Sequence, residues 1–398
     1  MKDVFIVGAN RSPFGKIGGK LSPVRPDDLL ATVLKDLVSK INFPLVEIDD
    51  VLIGCSNQAG EDNRNVGRMS SLLAGIPQSV PANTINRLCG SSLDAVLHAY
   101  SRISSGMDDC IIAGGVESMS RGPLVISKAG NAFDRQQKMY DSTFGWRFPN
   151  PKMEELFPLL GMGQTAENLV EKFNISREDQ DNYALASHQK AELAYSKNLF
   201  SEQIVPIKVQ LKKSEYIVDK DECIRADSNL ESLQKLRAVF KQGGSVTAGN
   251  SSPMNDGASS LLIVSEDFLK KHQLTPILRI SGAAVAGLDP SYMGLGPVEA
   301  TNKLLKKSNL TINDFDTFEL NEAFAVQVLA CTKELNISLD KVNPWGGAIS
   351  IGHPLGASGA RLMTHLFHQF KQDTHLKRGL ASMCIGVGQG ISISVEKA

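Results

Sequence analysis

Short apolar runs alternate along this chain with stretches in which apolar residues recur every three or four positions. The runs at 4–9, 51–54, 110–113, 260–264, 278–285, 317–320, 380–385 and 391–395 predict buried strands. Ala82 to Ile85 reads as a further extended segment. Between the runs, Leu29, Leu30, Val33, Leu34 and Leu37 line one helical face, and Ser176-Arg177-Glu178-Asp179 has the form of a helix cap. Strands alternating with helices predict an α/β sheet architecture. Residues 122–250 depart from this pattern. Arg, Lys, Gln and Asp occur throughout them, which predicts an inserted subdomain.

The pattern also repeats. Ile48-Asp49-Asp50-Val51-Leu52-Ile53 is echoed 264 positions later by Ile312-Asn313-Asp314-Phe315-Asp316-Thr317. The same offset carries Cys89 onto His353, and each lies in a turn before a helical pattern. Leu93, Val96, Leu97 and Tyr100 follow the first; Leu362, Met363, Leu366, Phe367 and Phe370 follow the second. Each helix then leads to a strand ending in glycines, at Gly114-Gly115 and at Gly386 to Gly388. The expectation is two similar halves, 1–121 with 251–276 and 277–398, and an insertion at 122–250.

Composition narrows the function. The chain has 398 residues, with 42 Lys+Arg against 43 Asp+Glu and a net charge of −1. That balance argues against a general binder of nucleic acid or membrane surface. No apolar run of about 18 residues is present, so no spanning helix is expected. Six scattered cysteines, none in C-x-x-C, predict neither a zinc module nor a disulfide scaffold. They suit a reducing compartment. With no leader-like segment before Val4, the expectation is a cytoplasmic protein or one with an uncleaved organelle address.

Four places could carry chemistry. Cys89 lies between an extended segment and a helix. There the dipole and free N–H groups are expected to lower its pKa and make it a nucleophile; the alternative is an inert buried thiol. His353, in G-H-P-L-G, suits a base or a hydrogen-bond donor, with Pro354 in the first helical turn; the alternative is a turn histidine satisfied by backbone. Cys384 opens C-I-G-V-G-Q-G, whose glycines let backbone N–H groups approach a ligand; the run is otherwise only a tight turn. Asn321 follows the 317–320 strand, where α/β sites form, or caps the next helix. Two polar glycine-containing loops, 247–258 and 161–168, read as linker and as a helix start capped by Thr165.

Taken in order, the motifs resemble the thiolase family over essentially the whole chain. They are N-R-L-C-G-S-S at 86–92, G-G-V-E-S-M-S at 114–120, G-W-R-F at 145–148, T-A-G-N-S-S at 247–252, N-E-A-F-A at 321–325, G-H-P-L-G-A-S-G at 352–359 and C-I-G-V-G-Q-G at 384–390. The resemblance implies two related αβαβα halves with an inserted loop domain. It implies that Cys89 accepts the acyl group, His353 activates it, and Cys384 is the second acid/base. One oxyanion pocket would use His353 with a water held by Asn321, the other the N–H groups of Cys89 and Gly386. CoA would lie on the inserted domain, contacted by Ser252, Arg225 and Phe240, with Met162 and Met293 near the acyl group and Ala323 and Phe324 among the substrate- or CoA-binding residues. CoA is then a substrate, and no metal or redox cofactor is implied. Val387 replaces the glycine commonest in its motif, and Gly161 stands where acetoacetyl-specific members resemble one another in carrying histidine.

These features favour a degradative 3-oxoacyl-CoA thiolase of fatty-acid β-oxidation. The alternatives are an acetoacetyl-CoA-forming enzyme, a 3-oxoadipyl-CoA thiolase of aromatic degradation and, from another class, a non-catalytic acyl-CoA binding protein. A decarboxylating ketoacyl synthase fits less well, because Cys384 is a second cysteine. Family members are homodimers or homotetramers, with 122–145 the candidate tetramer contact.

Overall fold

A computed structural model describes residues 2–398. Its centre is one ten-stranded sheet. From one edge to the other run Thr317–Leu320, Arg378–Ile385, Gln389–Lys397, Leu278–Gly287, Val4–Arg11, Asn255–Ser265, Cys110–Ser118, Asp50–Gly54 and Ala82–Ile85. The two-residue strand Gly15–Lys16 pairs beside Asn255–Ser265. The order is symmetric about the pair Val4–Arg11 and Leu278–Gly287, which touch through only two register pairs, Phe5–Arg279 and Ile6–Leu278. Outward from that seam each half repeats one plan: an antiparallel neighbour, another antiparallel strand, then a parallel one. The first half ends in Ala82–Ile85, parallel to Asp50–Gly54. In the second half that strand shrinks to a single parallel bridge between Phe318 and Val342.

All eight predicted strands form, and most are apolar enough to be covered on both faces. Two run furthest beyond their apolar patterns. Cys110–Ser118 continues through Gly114 and Gly115, and Asn255-Asp256-Gly257, expected in a loop, begin a strand instead. Ladder pairing to Lys16, Gly15 and Ser118 holds these polar residues in the sheet.

The 264-residue offset is structural. One helix spans Ser91–Ser104 and its counterpart Leu355–Gln372, so their first residues are related by the same shift as Cys89 and His353. The Leu355–Gln372 helix is buried all round from Gly356 to Phe370, as befits a helix packed on every side. Leu93, Val96, Ile103, Leu362, Met363, Leu366 and Phe370 share one apolar core. The two helices meet backbone to backbone. A Cβ on Gly359 would sit 2.4 Å from the Leu93 nitrogen, and Ser92 Oγ accepts from the Ala360 N–H at 2.9 Å. The two helix starts are thereby pressed together.

Residues 122–250 contribute no strand to the main sheet. They form the hairpins Leu124–Ile126/Met139–Asp141 and Ile207–Gln210/Glu215–Val218, together with four helices. The Ser176 cap forms as expected, with Asp179 N–H donating to its Oγ at 3.0 Å. The Met162–Phe173 helix is capped at Gly161 rather than by Thr165, whose hydroxyl donates to the Met162 carbonyl. The segment is not one separate body. Ile207, Val209 and Val218 join the core beneath the Pro26–Ser39 helix, and buried Asp221 takes a bidentate pair from Arg11 at 2.7 and 2.9 Å.

Candidate active site

Cys89 ends a strained turn. Leu88 before it has φ +48°, a left-handed conformation that a bulky residue rarely adopts. Asn86 pins the turn by accepting from Leu88 N–H and donating to the Ser56 carbonyl. The residue keeps an opening to solvent, but protein packs closely round the thiol. Contrary to the sequence expectation, burial pushes the Cys89 thiol up to about 11. The N–H groups of Gly386 and Cys89 itself act in the opposite direction, and the carboxylate of Glu117 adds a further upward push. Desolvation outweighs the helix terminus, so a neighbouring base must take the proton during attack.

His353 is 5% exposed and its imidazole is held at about 3, first by burial and then by the charge of Arg361. It is neutral, and its tautomer follows from its partners. Ser358 Oγ lies 2.6 Å from Nδ1 and itself donates to the Pro354 carbonyl at 3.0 Å. Nδ1 must therefore be the protonated nitrogen, which leaves Nε2 with a free lone pair. Asn321 Nδ2 points at that atom from 3.4 Å, while its Oδ1 accepts from Arg361 at 3.3 Å. Asn321 caps no helix; the next one starts at Ala325 with Phe324 as its cap. Pro354 likewise caps its helix from just outside the first turn. The backbone N–H of His353 donates to Asn255 Oδ1 at 2.8 Å.

Cys384, 2% exposed, closes the Arg378–Ile385 strand. Burial first, then the adjacent Cys89, push its thiol well above the ordinary range. The turn after it brings Gly386 N–H to the Cys89 sulfur. Val387 follows with φ +64°, a costly conformation for a β-branched residue, and Gly388 has φ +73°.

Around these groups, Cys384, Met162, Met293, Phe240, Ala323 and Phe324 share one apolar cluster, with Phe240 and Phe324 edge to face at 6.1 Å. Ser252 N–H donates to the Ala323 carbonyl, which ties the 247–252 loop to this wall. Arg225 stands apart. It lines a cavity of about 210 Å³ with Lys16, His188, Ser228, Gly249 and Ser251. Cys384 thus shares an apolar wall with Met162, Met293, Phe240, Ala323 and Phe324, Asn321 meets His353, and Arg225 lines a separate polar cleft.

Sequence reasoning passed over four residues. Glu117, fully enclosed, accepts from Ser56, Asn57 and Gly356 and couples electrostatically to Cys89. Ser358 and Arg361 set the orientation of His353 and Asn321, and Asn255 holds the His353 backbone. Ser358 had a local signal, one helical turn past His353. The others sit far from their partners along the chain. Among the described residues, no group of three or more His, Cys, Asp or Glu is arranged to hold a metal, and no helix is long and apolar enough to cross a membrane.

The comparisons identify the family. Residues 4–267 match the thiolase N-terminal domain and 274–397 the thiolase C-terminal domain. The chain is 51% identical over 403 residues to a beta-ketoadipyl-CoA thiolase of Acinetobacter baylyi, covering 100% of both. It is 50% identical over 406 residues to the 3-oxoadipyl-CoA/3-oxo-5,6-dehydrosuberyl-CoA thiolase of Escherichia coli, again covering 100% of both. The acetyl-CoA acetyltransferase of Bacillus anthracis superposes with a TM-score of 0.92 at 39% identity, covering 100% of this chain and 99% of that one. These names support the aromatic-degradation alternative better than β-oxidation. The chain belongs to the thiolase family and is an acyltransferase acting on acyl-CoA and CoA.

Proposed function

We propose that the substrate is 3-oxoadipyl-CoA, cleaved with CoA to acetyl-CoA and succinyl-CoA. The observation that carries this reading is end-to-end identity of about half to thiolases named for that substrate. His353 Nε2 takes the Cys89 proton, and the sulfur attacks the C3 carbonyl. His353 and an Asn321-held water receive one developing oxyanion; the N–H groups of Cys89 and Gly386 receive the other. The C2–C3 bond breaks, and Cys384, protonated by virtue of its burial, gives its proton to the acetyl-CoA enolate. A second CoA thiol, deprotonated by Cys384, releases succinyl-CoA from Cys89. The CoA tail lies along the inserted segment 122–250, over Ser252, Phe240 and Arg225. A non-catalytic binding role is disfavoured because Cys89, Asn321, His353 and Cys384 are all present.

The protein works as a homo-oligomer in the cytoplasm. The unpaired edge of Ala82–Ile85 and the exposed Leu72 and Leu73 beside it support a dimer. The hairpin exposing Leu124, Ile126 and Met139, with Phe133 94% exposed at its tip, supports a tetramer.

A thiolysis profile over acetoacetyl-CoA, 3-oxohexanoyl-CoA, 3-oxoadipyl-CoA and a long-chain 3-oxoacyl-CoA tests the substrate. The highest kcat/KM is expected for 3-oxoadipyl-CoA. Preference for the four-carbon or the long-chain substrate overturns the reading.

A further inference from the structure

We propose that Arg147, in the turn Gly145-Trp146-Arg147-Phe148, recognises the distal carboxylate of a dicarboxylic 3-oxoacyl-CoA and so sets substrate specificity. This rests on the 3-oxoadipyl-CoA reading and names the group that would enforce it. In that substrate two methylenes separate the attacked C3 from a carboxylate. A cation beside the acyl end of the site would stabilise that carboxylate, because an ionised group taken out of water without partners is strongly disfavoured.

The turn is fastened to reactive-centre segments on two sides. Trp146 Nε1 donates to the Leu160 carbonyl at 3.1 Å, two residues before Met162. The Met162 sulfur lies 3.4 Å from where a Cβ on Gly386 would be, and Gly386 donates to Cys89. On the other side Arg147 Nη1 donates to the Ser142 carbonyl at 2.6 Å. Ser142 also receives the Asn57 side chain, and the Asn57 N–H donates to Glu117, the carboxylate coupled to Cys89.

The turn is also held in shape. Gly145 and Phe148 have φ +77° and +50°, and Phe148 packs edge to face on Tyr140 at 4.9 Å. Its guanidinium is available. Arg87, next to Cys89, is paired with buried Asp94 at 3.0 Å, and Arg121 is paired with Glu61. Arg147 is half-buried and, among the described residues, has no carboxylate within ion-pair distance. Its charge is felt by Asp62, but that carboxylate takes the backbone N–H groups of its own loop. Four N–H donors of the fork remain for an incoming carboxylate.

The test compares 3-oxoadipyl-CoA with 3-oxohexanoyl-CoA, which has the same chain length and a methyl in place of the carboxylate. For Arg147→Gln, kcat/KM on 3-oxoadipyl-CoA is expected to fall about 30-fold or more, as for loss of a charge-assisted hydrogen bond. The fall should lie mainly in KM, and turnover of 3-oxohexanoyl-CoA should change by less than about 3-fold. Arg147→Lys should recover part of the preference, since it keeps the charge but loses the fork. Equal losses on both substrates would mean a structural role and overturn the assignment. A wild-type preference for 3-oxoadipyl-CoA that survives Arg147→Gln overturns the assignment alone. A wild-type enzyme indifferent between the two substrates overturns the substrate reading and the assignment together.

Discussion

The turn before Ser91 and the turn before Leu355 occupy matching places in the two halves, yet they treat solvent and charge differently. The first leaves Cys89 partly open, with its thiol raised and two backbone N–H groups waiting for its anion. The second encloses His353, keeps it neutral and locks its tautomer through Ser358. A duplicated scaffold supplies two helix starts pressed together, and the proposed roles divide between them, Cys89 as nucleophile and His353 as base. Neither residue is reactive by itself. The thiol is too weak an acid to ionise alone, and the imidazole is useful only because Nε2 carries the lone pair.

The sharpest break in that division of labour is Cys89→Ala. Thiolysis should fall at least about 10⁴-fold with the far-UV circular dichroism unchanged. Acyl labelling that persists on another cysteine would show that the nucleophile is elsewhere. Ser358→Ala frees the other tautomer of His353. A kcat loss of about 10- to 100-fold with little change in KM is expected in stopped-flow acylation. An unchanged kcat would mean that something else fixes the ring.

The buried imidazoles also make a pH prediction. His353 and His368 are held at about 3 and about 4 in the folded protein, mainly by burial. Unfolded, each binds a proton below about 6.5. Their full stability is therefore present above that pH and is lost as pH falls towards 4, on the order of 2 kcal/mol each by pH 5. Thermal melts at pH 7 and pH 5 should show the drop. His368→Gln should shrink it, and an unshrunken drop argues against His368 as a contributor. The smallest effect concerns Val387. Val387→Gly relieves the φ +64° strain and should stabilise by about 1 kcal/mol, raising Tm by about 2 °C with activity retained. A lower Tm would mean that Val387 packing outweighs its backbone cost.

Legibility varied from element to element. The eight apolar runs were readable because a sheet covered on both faces needs continuous apolar strands. The hairpin Ile207–Gln210/Glu215–Val218 was not, since only alternate residues are buried over four positions. The start of Asn255–Ser265 looked like a loop because its polar residues are satisfied by ladder partners on distant segments. Cys89 is legible as a candidate, but the direction of its thiol's shift is not. A helix terminus is visible in sequence, whereas the depth of protein around a sulfur is not.

By itself the sequence determined the α/β alternation, the 264-residue repeat and the identities of Cys89, Asn321, His353 and Cys384. Periodicity and motif spacing are local properties, and those are written in residue order. Tertiary structure alone decided that the sheet joins the two halves through only two register pairs, that Ser358 and Arg361 orient His353 and Asn321, and that Glu117 lies near Cys89. It also left Arg147 without an ion-pair partner while Arg87 and Arg121 found theirs. Desolvation, pairing and tautomer depend on which atoms surround a group in space, and the chain brings those atoms from positions tens to hundreds of residues away.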